Sequence, residues 1–324
     1  PLNEQMEQLQ SQRMPAMLEH ADTDRPPIHN PYLSLAAFTV GDPHFTQQPV
    51  LEDDSGRPDA STLAWDKSKS SGVVSPSSVA WTHLKGVTWA KNFQAHFETL
   101  PEGIAPKFRA QMLTTLAQIG TNATLIAGGP DGNGALTSDG DSRQLVSQFR
   151  PADGSVPDDT ARPNHHSAML WFLSDLTSLA QHGWFGYVNP EPLIPAAKIQ
   201  QLADGIAETT MNAFTPGDVV AAGSTRDLGQ LLAALGWYGT HAGSSSKATS
   251  ASEYANDVAD ELQSHLQGNG RVANGVANQA ATQGIVGQGL LWASELDGVD
   301  RVVAADEVLG YMHDELWDAD AGTF

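Results

Sequence analysis

The sequence predicts an all-α protein, and three observations lead to that class. Apolar residues recur three and four positions apart in six consecutive segments from Asn164 to the end of the 324-residue chain. Gly, Asn or Pro separates neighbouring segments, as the ends of helices require. No convincing strand interrupts the six segments. We therefore expect six helices in a row in the second half of the chain.

The first hundred residues have little of this regularity. Residues 1–22 are typical of a polar helix, and the sequence from Asp22 to Pro76 is rich in Pro, Asp, Gly and Ser. Helical periodicity resumes at SSVAWTHLKGVTWAKNFQAHFETL and at PKFRAQMLTTLAQIGTNATLIA, before a polar stretch from Gly128 to Pro163. We predict an irregular N-terminal segment with isolated helices at residues 1–100 and a helical-hairpin repeat domain at residues 101–324.

The six C-terminal segments form three pairs. The first member of each pair begins with a polar cluster and has a small, apolar body with one tryptophan. The second member is amphipathic and acidic and ends in a glycine-containing turn. A unit of roughly 55 residues that occurs three times predicts stacked helical hairpins with a shared core. The pairs are NHHSAMLWFLSDLTSLAQHG with PAAKIQQLADGIAETTMNAF, STRDLGQLLAALGWYGTHAG with SASEYANDVADELQSHLQG, and NQAATQGIVGQGLLWASELDG with DRVVAADEVLGYMHDELWDADAGTF.

The last turn, LWDADAGTF, resembles the end of a known structural unit. It is similar to the Leu–x–Asp–x–x–x–Gly–x–Phe phrase after the outer helices of (α/α) toroids, with Leu316, Asp318, Gly322 and Phe324 in the matching positions. That superfamily includes N-acylglucosamine 2-epimerases, glycoside hydrolases and polysaccharide lyases. The resemblance covers residues 164–324. It implies a toroid or partial toroid of helical hairpins with a carbohydrate-directed activity in a central funnel.

The charge balance is strongly acidic. Lys and Arg number 17 against 38 Asp and Glu, which gives a net charge of −21. The acidic residues could form a docking surface for a basic partner, or a solvated coat that keeps the protein soluble in concentrated salt. Their even spread and the scarcity of Lys favour the coat, so the composition resembles that of an extreme halophile such as a haloarchaeon. Nucleic-acid binding is disfavoured because no basic stripe is visible.

The absence of cysteine and of long apolar runs excludes several further classes of site and of protein. The chain has no Cys, so disulfides, thiolate metal sites, iron–sulfur clusters and a Cys nucleophile are ruled out. The best apolar run, AMLWFL, is far shorter than the roughly 18 residues of a membrane span. Pro1 suits the removal of an initiator Met, which points to the cytoplasm, while a cleaved signal peptide would point to an extracellular protein.

The starts of the inner helices carry the candidate catalytic residues. The toroid resemblance implies that these starts line one mouth of the funnel. His165 and His166 could act there as acid or base, with Arg226 and Asp227 orienting a polar substrate. The alternatives are a histidine that only packs or caps, and a capping Thr225 or Ser224 followed by an ordinary charged first turn.

Large aromatic residues on the same helices form a second candidate group. They could provide a surface on which sugar rings stack, although aromatic residues at helical spacing more often belong to the core. The residues considered for this role are Trp171, Trp184, Trp237, Tyr238 and Trp292.

One loop carries a candidate calcium site. GGPDGNGALTSDGDS places oxygen ligands at Asp131, Asn133, Asp139 and Asp141, and such ligands at alternate positions can hold calcium. The loop lacks the spacing and the closing Glu of an EF-hand, which favours a plain acidic loop. Calcium is a possible ligand of this loop, and no cofactor is required.

Two functional interpretations follow from these features. The first is a halophilic carbohydrate-active enzyme (a hydrolase, lyase or epimerase) with its site at the N-terminal ends of the inner helices. The second is a non-catalytic helical scaffold or interaction subunit that binds a protein partner or a second copy of itself. An enzyme should have an open pocket at these helix starts, whereas a scaffold should have side chains filling that region and apolar residues exposed on an outer face.

Overall fold

Helices dominate the part of the chain that the computed structural model describes. That part comprises residues 51–52, 57–58, 73, 75–81, 84, 87–88, 144–150, 155–181, 196–241, 243, 245–273 and 279–324. Most of the predicted N-terminal segment and its boundary near residue 100 lie outside these ranges. Two short antiparallel strand pairs precede the helical array: β1 (Leu51–Glu52) with β2 (Arg57–Pro58), and β3 (Gln148–Arg150) with β4 (Ser155–Asp158).

Each of the six predicted segments forms a helix, and the all-α prediction is confirmed for the described residues. The helices are α1 (Pro163–Gln181), α2 (Ala196–Ala213), α3 (Pro216–Ala222), α4 (Thr225–His241), α5 (Ser245–Ser264), α6 (Gln279–Ala293) and α7 (Val302–Tyr311), which continues as a π-helix at Met312–Leu316.

The periodicity did not predict α3, a seven-residue helix between the first two hairpins. Its sequence is too short for an apolar stripe, but its N-terminus is capped. The N–H of Asp218 donates to Oγ1 of Thr215 (3.2 Å), and the N–H of Thr215 donates to Oδ2 of Asp218 (2.8 Å). This capping box, with Pro216 at the first helical position, stabilises a helix that hydrophobic spacing does not reveal.

The helices form two layers. In the inner layer, α4 lies between α1 and α6 and contacts both along much of its length. In the outer layer, α2 packs on α1, α5 on α4 and α7 on α6. The partners of the last hairpin run antiparallel, since Gly287 of α6 faces Leu309 of α7 while the earlier Gly284 faces the later Met312. The predicted pairing of helices therefore corresponds to an inner and an outer helix in each hairpin.

The inner helices run parallel to one another. Gly229 of α4 faces Val286 of α6, and Gly236, two turns later, faces Trp292. At the start of α4, the side-chain amide of Gln230 donates to Oγ of Ser167 in the first turns of α1 (2.7 Å). The N-terminal ends of α1, α4 and α6 therefore lie at the same end of the array.

Glycines allow the backbones of α4 and α6 to touch. A Cβ on Gly236 would lie 2.5 Å from the carbonyl carbon of Trp292, and a Cβ on Gly289 would lie 2.3 Å from the carbonyl oxygen of Gly229. Both distances are shorter than any side chain tolerates, and the atoms concerned are backbone atoms that cannot rotate away. The abundance of Gly in the inner helices therefore reflects close helix packing.

The core lies between the two layers. Residues from the predicted stripes, such as Leu173, Ile206, Leu232 and Val258, are at most 1% exposed. In the last segment, the apolar residues that step by three and four predict a buried stripe of Val302, Ala305, Leu309, Met312 and Leu316. This stripe is partly wrong, because Val302 is 45% exposed whereas Ala304, Ala305 and Val308 are buried. In a helix this short, several different faces contain apolar residues spaced three and four apart. Contact with α6 determines which of these faces is buried.

The final turn closes on itself. The N–H of Asp318 donates to the carbonyl of Thr323 (2.8 Å), and Oδ1 of Asp318 accepts the N–H groups of Asp320 and Ala321 (3.0 Å each). Gly322 has a φ of +66°, a conformation that favours glycine. These contacts explain why the LWDADAGTF turn needs an Asp and a Gly at these positions.

Arg301 joins the last hairpin to α5. Its guanidinium donates to Oε1 of Gln263 (2.6 Å) and Oδ1 of Asn256 (3.1 Å), and forms an ion pair with Asp260 (2.7 Å).

Because a lysine ammonium cannot reproduce this forked geometry, Arg301→Lys should lower the free energy of unfolding by about 1–2 kcal/mol. Urea unfolding in molar KCl measures the change. Arg226→Lys, on the exposed first turn of α4, is the control, and equal losses in both variants would contradict the assignment.

In the described part of the chain, no helix combines the length and the apolar character that crossing a bilayer would need.

Candidate functional site

His166 is buried at the start of α1, with both ring nitrogens bonded to backbone atoms. Its Nε2 accepts the N–H of Leu145 (2.9 Å), so this nitrogen carries no proton. Its Nδ1 therefore carries the proton and donates it to the carbonyl of Arg162 (2.8 Å). Burial lowers the pKa of His166 to about 4, and the bond to Arg162 opposes this effect only in part. His166 thus joins the segment at Leu145 to α1 and is neutral at pH 7.

His165 is also buried, at 9% exposure. Burial lowers its pKa to about 4, and the nearby positive charge of Arg162 adds to this effect while Asp158 opposes it. Its Nδ1 has no hydrogen-bond partner in the part of the chain that the structure describes. Neither histidine therefore has the near-neutral pKa that suits an acid or base at pH 7.

Asp227 acts in the capping of α4. Its Oδ2 accepts the N–H of Ser224, the residue before the helix (2.9 Å). Burial raises the pKa of Asp227, and the bond from Ser224 opposes the rise. Gly223 leaves room for this carboxylate, because a Cβ there would lie 1.8 Å from Oδ2. Arg226 is exposed beside it. This arrangement corresponds to the charged, capped first turn that the sequence left as the alternative.

Tyr238 lies apart from the predicted aromatic surface. Its side chain is fully buried, and its hydroxyl donates to Oδ1 of Asp204 on α2. Burial and the carboxylate of Asp204 hold the pKa of the Tyr238 hydroxyl well above its usual range. Tyr238 therefore packs between the layers and cannot share a ligand surface with the neighbouring Trp237.

Three of the predicted aromatic residues do come together, and a fourth joins them. The ring centroids of Trp171 and Trp292 are 5.1 Å apart, and those of Trp237 and Trp292 are 5.0 Å apart. Trp81, from a helical stretch at residues 76–81, packs edge-to-face on Trp171 at 5.4 Å. We call these four residues the tryptophan group. Trp171 is buried at 7% exposure, whereas the other three are partly exposed.

Two members of the tryptophan group lie far from the inner-helix starts. Trp237 and Trp292 belong to the C-terminal turns of α4 and α6. Trp237 lies eleven residues beyond Arg226 on one helix, which corresponds to about 16 Å along its axis. The structure therefore does not bring Arg226 and Asp227 together with Trp237 and Trp292.

His241 extends the group and was missed by sequence reasoning. Its imidazole is stacked on the indole of Trp237, with ring centroids 3.9 Å apart and planes 17° apart. The spacing Trp237–x–x–x–His241 on a predicted helix could have indicated this contact, because residues four apart are neighbours on a helix. Trp81 had no comparable signal, since it comes from a segment distant in sequence.

Metal binding remains a prediction of the sequence. The calcium-loop candidates Asp131, Asn133, Asp139 and Asp141, as well as Trp184, lie outside the described residues. Within the described ranges, no three His, Asp or Glu side chains are arranged to hold a metal ion.

Comparison with protein-family models, with curated proteins and with solved structures returned no match to this chain.

Proposed function

We propose that this chain is a halophilic carbohydrate-binding protein whose ligand contacts the tryptophan group. The observation that carries the proposal is that indoles from four separate segments meet on the inner layer while three of them stay partly exposed. Apolar aromatic walls with a few placed polar groups are typical of small-molecule sites. Sugar rings present apolar C–H faces that suit such walls.

The two-layer array supports a toroid or partial toroid as the architecture around this surface. Parallel inner helices with an outer helix on each are what that arrangement requires. A carbohydrate-directed hydrolase, lyase or epimerase activity stays part of the proposal. His165 and His166 are neutral and buried, so the proposal rests on the tryptophan group rather than on them.

A fluorescence titration tests the binding. Oligosaccharides of neutral sugars and of uronic acids are added to the protein in molar KCl, and the tryptophan emission is followed. We expect saturable change with at least one oligosaccharide, and a loss of affinity of about tenfold or more in Trp292→Ala, which removes a large stacking surface. Trp317→Ala is the matched control, since Trp317 lies in the final turn, outside the group.

Saturable binding that survives Trp292→Ala unchanged would place the ligand elsewhere. The proposal that the protein is halophilic is tested separately, by urea unfolding at a series of KCl concentrations. Because salt screens the repulsion among the acidic side chains, the free energy of unfolding should rise with KCl concentration. A protein that is equally stable without salt would contradict it.

A second candidate function is the interaction subunit. Of the large hydrophobic residues exposed in the described ranges, all but Val156 belong to α6, α7 or the final turn, namely Leu291, Val302, Val303, Trp317 and Phe324. Exposed apolar residues concentrated on one hairpin favour a protein contact. Light scattering in molar KCl checks this interpretation. Self-association that Val303→Ser abolishes would support it, and a monomer at all concentrations would count against self-association.

A further inference from the structure

His241 covers a surface that a ligand of Trp237 would otherwise meet. The imidazole lies nearly parallel to the indole, and Trp292 approaches Trp237 with its plane tilted by 39°. The imidazole therefore occupies the position on the Trp237 indole where a sugar ring would otherwise stack. A ligand at this position would contact His241. Both His241 and Trp237 are partly exposed, so the imidazole belongs to the accessible surface of the tryptophan group.

The neighbouring Thr240 determines which nitrogen of His241 carries the proton. Its hydroxyl lies 2.8 Å from the carbonyl of Gly236 and 2.5 Å from Nδ1 of His241. A hydroxyl has one proton, and a carbonyl can only accept, so the Thr240 hydroxyl donates to Gly236. Nδ1 must then be the donor to the Thr240 oxygen. In the neutral imidazole, Nε2 is therefore left as an acceptor.

No described residue bonds to that acceptor. The contacts of His241 among these residues are the stack on Trp237 and the bond to Thr240. A position at the C-terminus of a helix suits a histidine on electrostatic grounds alone. That effect explains neither a stacked ring nor a fixed tautomer with an unbonded acceptor on an exposed aromatic surface.

We infer that His241 is a ligand-binding residue of the tryptophan group, and that its Nε2 accepts a hydrogen bond from a hydroxyl of a neutral saccharide. Trp237 holds the imidazole plane, and Thr240 fixes the tautomer, so both are positioning residues for this contact. The inference rests on the proposed carbohydrate binding. It adds Nε2 of His241 as the group that would accept a hydrogen bond from a sugar hydroxyl. A neutral polyhydroxylated ring, which offers donors as well as C–H faces, is the class of ligand that this pair suits.

Calorimetric titration in molar KCl with cellohexaose and with maltohexaose tests the inference. Against the saccharide that binds the wild type, we expect His241→Ala to weaken affinity by about tenfold and Thr240→Val by several-fold. His241→Gln should restore part of the loss, because its amide oxygen can accept a hydrogen bond, whereas a merely structural role would give no such recovery. Trp317→Ala serves as the control and should bind as the wild type does.

A second measurement does not depend on any ligand. Nitrogen-15 spectra of the histidine rings should show a protonated Nδ1 and an unprotonated Nε2 for the neutral imidazole of His241, and Thr240→Val should shift the tautomer towards protonated Nε2. Binding that is unchanged in His241→Ala, or a protonated Nε2 in the wild type, would overturn the inference alone. If neither hexasaccharide binds the wild type, the inference falls, and failure of every other oligosaccharide would remove the proposed function with it.

Discussion

Lowering the pH from 6.5 to 4 should reduce the free energy of unfolding by about 3 kcal/mol for each of His165 and His166. Burial is the main reason that the pKa of each falls from 6.5 to about 4 in the folded chain. Between these values the unfolded chain binds protons that the folded chain does not. Stability from these residues is therefore fully present above pH 6.5 and is lost progressively as the pH falls to 4.

Urea unfolding at a series of pH values, in molar KCl to screen the acidic surface, measures this slope. His166→Gln should remove about half of the slope, since Gln does not titrate and its amide oxygen can still accept the N–H of Leu145. His313→Gln is the control, because it removes an exposed histidine of the π-helix rather than a buried one.

A slope in His166→Gln that is as steep as that of the wild type would contradict the assignment of acid sensitivity to these histidines. An unchanged stability between pH 6.5 and 4 in the wild type would contradict their burial as neutral side chains.

Gly236→Ala should destabilise the protein by about 3 kcal/mol or more, which is at the upper end for overpacking a core. The new methyl group would lie 2.5 Å from the carbonyl carbon of Trp292, so α4 and α6 must separate to admit it. Gly289→Ala should have a similar effect from the other helix, because its methyl group would meet the carbonyl oxygen of Gly229. Thermal and urea unfolding measure both variants.

Gly310→Ala is the matched control on α7. A Cβ there meets no atom within 4 Å, so the alanine should raise stability by about 0.5–1 kcal/mol through its better helix propensity. The same substitution is thus expected to have opposite signs at two helical glycines. Equal effects at Gly236 and Gly310 would show that the inner helices do not approach as closely as described.

Helix positions followed from the sequence because hydrophobic spacing is a local property. Buried stripes such as that containing Leu232 were predicted in α1, α2, α4 and α5, and their helices formed where expected. The rotation of α7 could not be predicted, because Val302 and Val308 fit helical stripes equally well until α6 is in place. The short α3 depended on its capping box rather than on periodicity.

Less of the candidate site than of the fold could be predicted from the sequence. The three tryptophans of the inner helices were identified from sequence, and the structure places them in contact. Hydrophobic spacing carries no information on how far along neighbouring helices two side chains meet, so His165 and Arg226 were grouped with tryptophans that lie further along. Trp81 and His241 complete the group through contacts that depend on tertiary packing and on the rotamer of a helix C-terminal residue.

The most direct test of the account is the indole N–H spectrum of the protein in molar KCl during an oligosaccharide titration. The chain has eight tryptophans, so their signals can be resolved and assigned by substitution. The account predicts that the signals of Trp237 and Trp292 shift in a saturable way while that of Trp317 stays fixed. Shifts confined to tryptophans outside the tryptophan group, or none with any oligosaccharide, would contradict it.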